Sequence, residues 1–158
     1  LDDKLIIRRY LSADHDAVWD LHNAALQDTG AHLGNGPWDD DLHRIEAAYL
    51  ETGGEFLVGE LGGWIVVMGA LKPVDAGTAE VKRMRVDPAF QRRGFGQEML
   101  SALETRARAL EFRRLILDTS VRQKAALRLY QKNGYRETGR RKIRHLDLID
   151  FEKELKPE

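Results

Sequence analysis

With 158 residues, 42% hydrophobic and 32% charged, the chain has the balance of one globular domain and enough apolar material for a core. The absence of cysteine excludes disulfides, cysteine-based zinc sites and a cysteinyl acyl-enzyme. The net charge of −1 conceals a polarity: residues 10–60 hold eleven acids against one base, Arg44, whereas residues 61–158 hold 21 Lys+Arg against 13 Asp+Glu.

LIIRRYL (5–11) reads as a first strand, and 12–27 as a helix with Ser12 as N-cap and Val18, Leu21, Ala25 and Leu26 on one face. Three glycines and a proline make 28–37 a loop, after which Leu42, Ile45, Ala48 and Tyr49 predict a helix over 38–51. Strands follow at 55–61, 64–72 and 78–86, the first two joined by the Gly62-Gly63 turn. A helix is expected from about Arg93 to Leu110, a buried strand at 113–119 and a helix at 122–133 that Gly134 stops. An antiparallel pair, 135–140 and 143–151, closes the chain. The order β-α-α-β-β-β-α-β-α-β-β predicts an α/β fold in one domain, 1–158, with a mixed sheet and helices on both faces.

No apolar run approaches about 18–20 residues, so no membrane span is expected. LDDKLIIRRY holds only three consecutive apolar residues, too few for a secretory leader, so a cytoplasmic protein is expected. The histidines (15, 22, 32, 43 and 145) show no metal-ligand spacing, and no metal is expected. Arg136, Arg140, Arg141, Lys142 and Arg144 have one aromatic neighbour, Tyr135, and read as a solvated face rather than a nucleic-acid surface.

The segment QRRGFG (91–96) concentrates the chemistry. It places Arg92 and Arg93 at a helix N-terminus, where a cation costs roughly 0.3–1 kcal/mol unless an anion lies between it and the free amides. Gly94 and Gly96 let the backbone approach such an anion closely. GxxxxGK[ST] is absent, and Met99 occupies the third glycine position of GxGxxG, so neither familiar nucleotide loop applies.

The stretch 81–104, with Val86-Asp87-Pro88 followed by Gln91-Arg92-Arg93-Gly94-Phe95-Gly96, resembles the acetyl-CoA motif of the GCN5-related N-acetyltransferases. A second block, LILDTSVRQKAALRLYQKNGYRETG (115–139), is similar to the later motif of that family. The resemblance implies an acyl-CoA N-acyltransferase fold, mostly antiparallel, with a central parallel strand pair splayed to admit the acetyl-pantetheine arm. It divides the chain into an acceptor side (1–77), acetyl-CoA motifs (78–139) and a C-terminal strand (140–158).

It further implies an acetyl-CoA-dependent transfer to a primary amine of a small molecule or peptide. The pyrophosphate would lie on the turn of Gln91, Arg92, Arg93, Gly94, Phe95, Gly96 and Gln97. The arm would follow the backbone of Met84, Arg85 and Val86, with Asp118, Gln123 and Tyr130 also on the cofactor side. Gln123 stands where relatives commonly carry asparagine. Tyr130 matches a proposed general acid for the leaving thiolate, and the resemblance favours that role over the packed tyrosine with a routine hydrogen bond that the residue alone would suggest. Glu80, on the face of Met84 and Val86 by strict alternation, matches a general base; pairing with Lys82 or Arg83, or replacement by a water chain, stays open. His32, Trp38 and Glu80 are the acceptor-side candidates. The amine's identity and a homodimer are open, and the alternative is a CoA-binding regulatory domain without turnover.

Overall fold

Gly62 and Gly63 have φ of 58° and 84°, the left-handed pair that a two-residue hairpin requires. The flanking strands, β2 (Glu55–Leu61) and β3 (Trp64–Pro73), pair from Leu61↔Trp64 to Glu55↔Leu71. The computed structural model, which describes residues 4–157, adds β1 (Ile6–Arg9), β4 (Thr78–Val86), β5 (Arg114–Ser120), β6 (Arg136–Ile143) and β7 (Leu146–Glu154). Together these form a seven-stranded sheet in the order β1-β2-β3-β4-β5-β7-β6. Every adjacent pair is antiparallel except β4 and β5, which run parallel.

Three α-helices, α1 (His15–Thr29), α2 (Phe95–Ala109) and α3 (Lys124–Lys132), cover the two faces. On one face Met99, Leu100, Leu103 and Ala107 of α2 are wholly buried with Val81, Leu115, Leu117 and Phe151, and Leu127 and Leu129 of α3 pack against the same cluster. On the other, Val18 and Leu21 of α1 pack with Leu42, Ile45 and Tyr49 on Phe56, Val58, Met68 and Ala70. Each large apolar side chain so buried contributes roughly 1.5–3 kcal/mol. The mixed sheet with helices on both faces is the architecture expected.

Two local expectations differ. Ser12 does not cap α1; it opens a 3-10 turn, Ser12–Asp14, and Asp14 instead accepts the Leu11 N–H at 2.8 Å while gripping Arg8 at 2.7 Å. The segment 38–51 is not one α-helix but a 3-10 helix, Pro37–His43, followed by a π-helix, Glu46–Leu50. An α-helix sets residues two apart nearly opposite one another. The tighter 3-10 winding brings Asp39 and Asp41 both within reach of Arg83, at 3.9 and 2.6 Å.

The β3–β4 ladder contains the feature that shapes the site. Pairing steps from Ala70↔Lys82 to Met68↔Arg85, which leaves Arg83 and Met84 opposite Gly69, with Arg83 at φ 59°. The bulge reverses the alternation. Ala79 and Val81 before it, and Met84 and Val86 after it, all pack in the α2-side core. Glu80 therefore lies on the opposite face from Met84 and Val86, which corrects the expectation from strict alternation.

The basic residues of β6 are matched by acids. Arg136 pairs with Glu152, Arg140 with Glu137, Arg141 with Asp118 and Asp150, and Lys142 with Asp147.

Candidate active site

β4 and β5 pair only at Thr78↔Arg114, Ala79↔Leu115 and Glu80↔Ile116. Beyond these the two parallel strands diverge. From Val81 onward the β5-facing edge of β4 has no strand partner, which leaves backbone groups available to an extended ligand. The opening is a cleft of about 800 Å³ bounded by the end of β4, the start of α2 and α3.

At one end lies the glycine turn. Asp87 caps the 3-10 turn Pro88–Phe90 by accepting the Ala89 N–H at 2.9 Å. Arg92 and Gly94 are left-handed, at φ 63° and 81°, and Gly94 is the N-cap of α2 with no side chain capping the helix. A Cβ on Gly94 would meet nothing within 4 Å, so the approach to the first amides of α2 is open. Gln91, Arg92, Phe95, Gly96 and Gln97 line the cleft there. Arg93 does not: its guanidinium lies over the rings of Phe90 and Phe95, at 5.6 and 5.1 Å, where it clamps the turn from outside. Four further cations, Arg122, Lys124, Arg128 and Lys132, line the cleft from the α3 side, and sequence reading missed them. The last three recur at i, i+4 and i+8, a stripe visible in the sequence once the helix is assigned.

At the other end a second cleft, of about 150 Å³, opens on the α1 face between β4 and β5. Met84, Arg85, Gln123, Ala126 and Tyr130 line both clefts and so mark their junction. Tyr130 is 4% exposed, its ring packed on Tyr135 and Phe151 with centroids at 5.6 and 6.2 Å. Burial pushes its phenol well above the ordinary tyrosine value, and the nearby Arg85 charge pulls the other way. Its hydroxyl makes no hydrogen bond within the described residues, unlike that of Tyr135, which donates to Glu104 at 2.7 Å. The Gln123 carbonyl accepts from Thr119 Oγ1 at 3.1 Å and the Ser120 N–H at 3.3 Å, and its amide N–H groups have no partner among the described residues.

Glu80 and Asp118 line the smaller cleft. Burial raises the Glu80 carboxyl above the ordinary glutamate value, and Asp118 adds to the rise. Arg83, considered a partner for Glu80, is instead committed to Asp41 through Nε at 3.0 Å and Nη2 at 2.6 Å, and Tyr49 donates to the same carboxylate. No ion pair joins Glu80 to Lys82 among the described residues. Asp118 pairs with Arg141 at the rim.

His32 and Trp38, the other acceptor-side candidates, line neither cleft. His32 Nδ1 accepts the Gly34 N–H at 2.8 Å, so Nε2 carries the proton and donates to Asn23 Oδ1 at 2.6 Å. Trp38 donates Nε1–H to the Gly34 carbonyl at 3.0 Å and lies under the Arg144 guanidinium at 4.8 Å. Both fasten the loop between α1 and the 3-10 helix. Behind it, buried His22 donates Nε2–H to Asp39 at 3.0 Å, and burial together with the Arg85 and Arg83 charges pushes its pKa down to about 4.

A sheet pried open at its one parallel pair, with an amide-rich helix start beside the opening, is the architecture of the acyl-CoA N-acyltransferases. Residues 16–135 match the Acetyltransferase (GNAT) family, and the chain belongs to that family. It is similar to an "IAA acetyltransferase" of Azospirillum brasilense, 36% identical over 85 residues, which covers 53% of this chain and 56% of that protein. It is also similar to human "N-acetyltransferase 8", 33% identical over 105 residues, 63% of this chain and 46% of the relative. The chain thus spans about half the length of these curated relatives. Among solved structures, a GNAT-family acetyltransferase from Staphylococcus aureus superposes with a TM-score of 0.89 at 21% identity, over 97% of this chain and 100% of that one. A Salmonella typhimurium protein described as an acetyltransferase and solved with its cofactor acetyl-CoA superposes at 0.81 and 24% identity, over 98% and 96% of the two chains. These superpositions establish the fold.

Proposed function

We propose that the protein is an acetyl-CoA-dependent N-acetyltransferase that passes the acetyl group directly to a primary amine of a small molecule or peptide. The observation that carries this reading is the joined pair of clefts: the larger has the glycine turn at one end and Tyr130 at the other, and the smaller holds Glu80. Pyrophosphate on the α2 amides, beside Arg92 and the α3 cations, would direct the pantetheine arm along the unpaired edge of β4 toward Tyr130. The amine, relieved of a proton by Glu80 directly or through water, attacks the thioester carbonyl. A C–N bond forms, the C–S bond breaks, and Tyr130 gives its phenolic proton to the departing thiolate. With no cysteine in the chain, no acyl group passes through a cysteinyl thioester on the protein itself.

The test is a panel of primary amines with acetyl-CoA, reading free thiol and identifying products by mass. Amine-dependent thiol release with an N-acetylated product is expected; tight acetyl-CoA binding without any acetylation would leave a regulatory CoA-binding domain in its place. The anion cradle is tested separately. Arg92→Ala/Arg128→Ala is expected to raise the dissociation constant of acetyl-CoA about tenfold at low salt, with a smaller effect as salt screens the pairs. An unchanged constant would remove the phosphates from this rim.

A further inference from the structure

Among the described residues, Arg85 has no anionic partner in either cleft. Its only hydrogen bond runs from Nη1 to the neighbouring Met84 carbonyl at 2.9 Å, and its buried Nε has no partner. Asp39, the acid nearest in influence, is already held by His22 at 3.0 Å and by Asn35 at 3.1 Å. Arg83, which could have shared a carboxylate with it, is chelated by Asp41. Burial and the Arg83 charge push the Arg85 guanidinium down to about 10, and the residue, half-buried, lines both clefts. A guanidinium that lines a cleft, with no anion beside it and its Nε buried without a partner, is open to a ligand that supplies the missing negative charge.

The bulge at Arg83 fixes where this cation points. It sends Arg85 to the α1 face, away from Met84 and Val86, and into the junction beside Tyr130 and Gln123. The same smaller cleft carries Glu80 and Asp118 together with Lys82 and Arg83; Asp118 is held by Arg141 and Arg83 by Asp41. The cleft therefore offers an ammonium the Glu80 carboxylate, which has no ion-pair partner among the described residues, and an anion the fork-shaped Arg85. The glycine turn and its cations lie at the far end of the larger cleft, so the cofactor's phosphates have their own site.

We infer that the acceptor is an amine that also carries a carboxylate, an amino acid or its close analogue, and that Arg85 binds that carboxylate. This rests on the acetyltransferase reading and narrows it. The probes are free L-amino acids together with glycine, β-alanine and 4-aminobutyrate, each compared with its own carboxamide. The ratio of kcat/KM for acid over carboxamide is expected to reach about 100 or more for the preferred acceptor, because a carboxamide leaves the buried cation unpaired. Arg85→Met is expected to collapse that ratio toward one, and Arg85→Lys to retain part of it.

Titration of the same pairs into protein saturated with CoA supplies a readout independent of turnover, with the acids binding more tightly. Arg85→Met is also expected to raise the melting temperature of the ligand-free protein by roughly 2–4 °C, since it removes an uncompensated charge. A cation that merely props the fold would behave oppositely. Acetylation of amines regardless of a carboxylate overturns the inference while leaving the acetyltransferase reading intact. So does a loss in Arg85→Met that is equal for acids and carboxamides, which would assign Arg85 to the thioester. Acetyl-CoA binding without turnover overturns the acetyltransferase reading, and the CoA-complex titration still decides for or against carboxylate recognition. Absence of any carboxylate-dependent binding or turnover overturns the inference.

Discussion

Replacing Tyr130 with phenylalanine is expected to lower kcat by about 10²–10³-fold while leaving the KM for acetyl-CoA and the melting temperature nearly unchanged. The two readouts separate because the residue has two parts with different tasks. Its ring fills the space between Tyr135 and Phe151, and phenylalanine fills it equally well. Its hydroxyl makes no bond within the described protein, so removing it forfeits no internal hydrogen bond. Burial raises the phenol's pKa, which keeps the proton in place throughout the neutral range. Desolvation at the same junction would also raise the proton affinity of an emerging thiolate, in the direction that favours the transfer. Neighbouring Arg85 moderates the phenol's rise. The alkaline limb of the rate profile should therefore not come from Tyr130. A Tyr130→Phe enzyme with unchanged kcat would return the residue to a packing role.

The cofactor side of this site is legible in the sequence because it is local. Val86-Asp87-Pro88 ends a strand, Gly94 starts a helix, and the proposed anion site is the turn between them. The acceptor side is less legible because it depends on a contact 15 residues away from Met84, at Gly69. A Cβ there would come within 2.8 Å of Met84 Sδ and 2.7 Å of Leu103 Cδ1, so glycine makes room for the bulge that brings Arg85 to the same α1 face as Glu80. The sequence did carry a trace of this: the apolar residues run 79, 81, 84, 86, and the spacing of three is where alternation breaks.

Charge polarity along the chain has a different outcome in each half. The later surplus reaches the large cleft through Arg92, Arg122, Lys124, Arg128 and Lys132. Much of the early acidity is spent inside the fold: Asp14 and Glu60 on Arg8, Glu55 on Arg9 and Arg106, and Asp41 on Arg83. The acids that face the small cleft, Glu80 and Asp118, come from the later half, and Asp118 is itself held by Arg141. Composition by segment counts charges; only pairing tells which of them remain to meet a ligand.

Glu80 is the residue where stability and function should pull apart most clearly. Burial and Asp118 hold its folded pKa above the unfolded value, so the fold favours the protonated form. Its stabilising contribution is fully present below the unfolded pKa and is lost as pH rises through the folded one. Above that point the ionised carboxylate burdens the native state. Glu80→Gln, neutral and nearly isosteric, should accordingly be more stable than the parent at pH 8 in urea denaturation, with the advantage shrinking as pH falls to about 4. A base must be ionised to act, so the parent's kcat/KM should decline with acid through a pKa displaced upward from the ordinary carboxylate range. The glutamine enzyme should lose about 10²-fold in kcat/KM and that acid limb together. Retention of both the limb and the rate in Glu80→Gln would assign proton removal to a water chain, and the raised carboxyl would then serve only to draw the ammonium in.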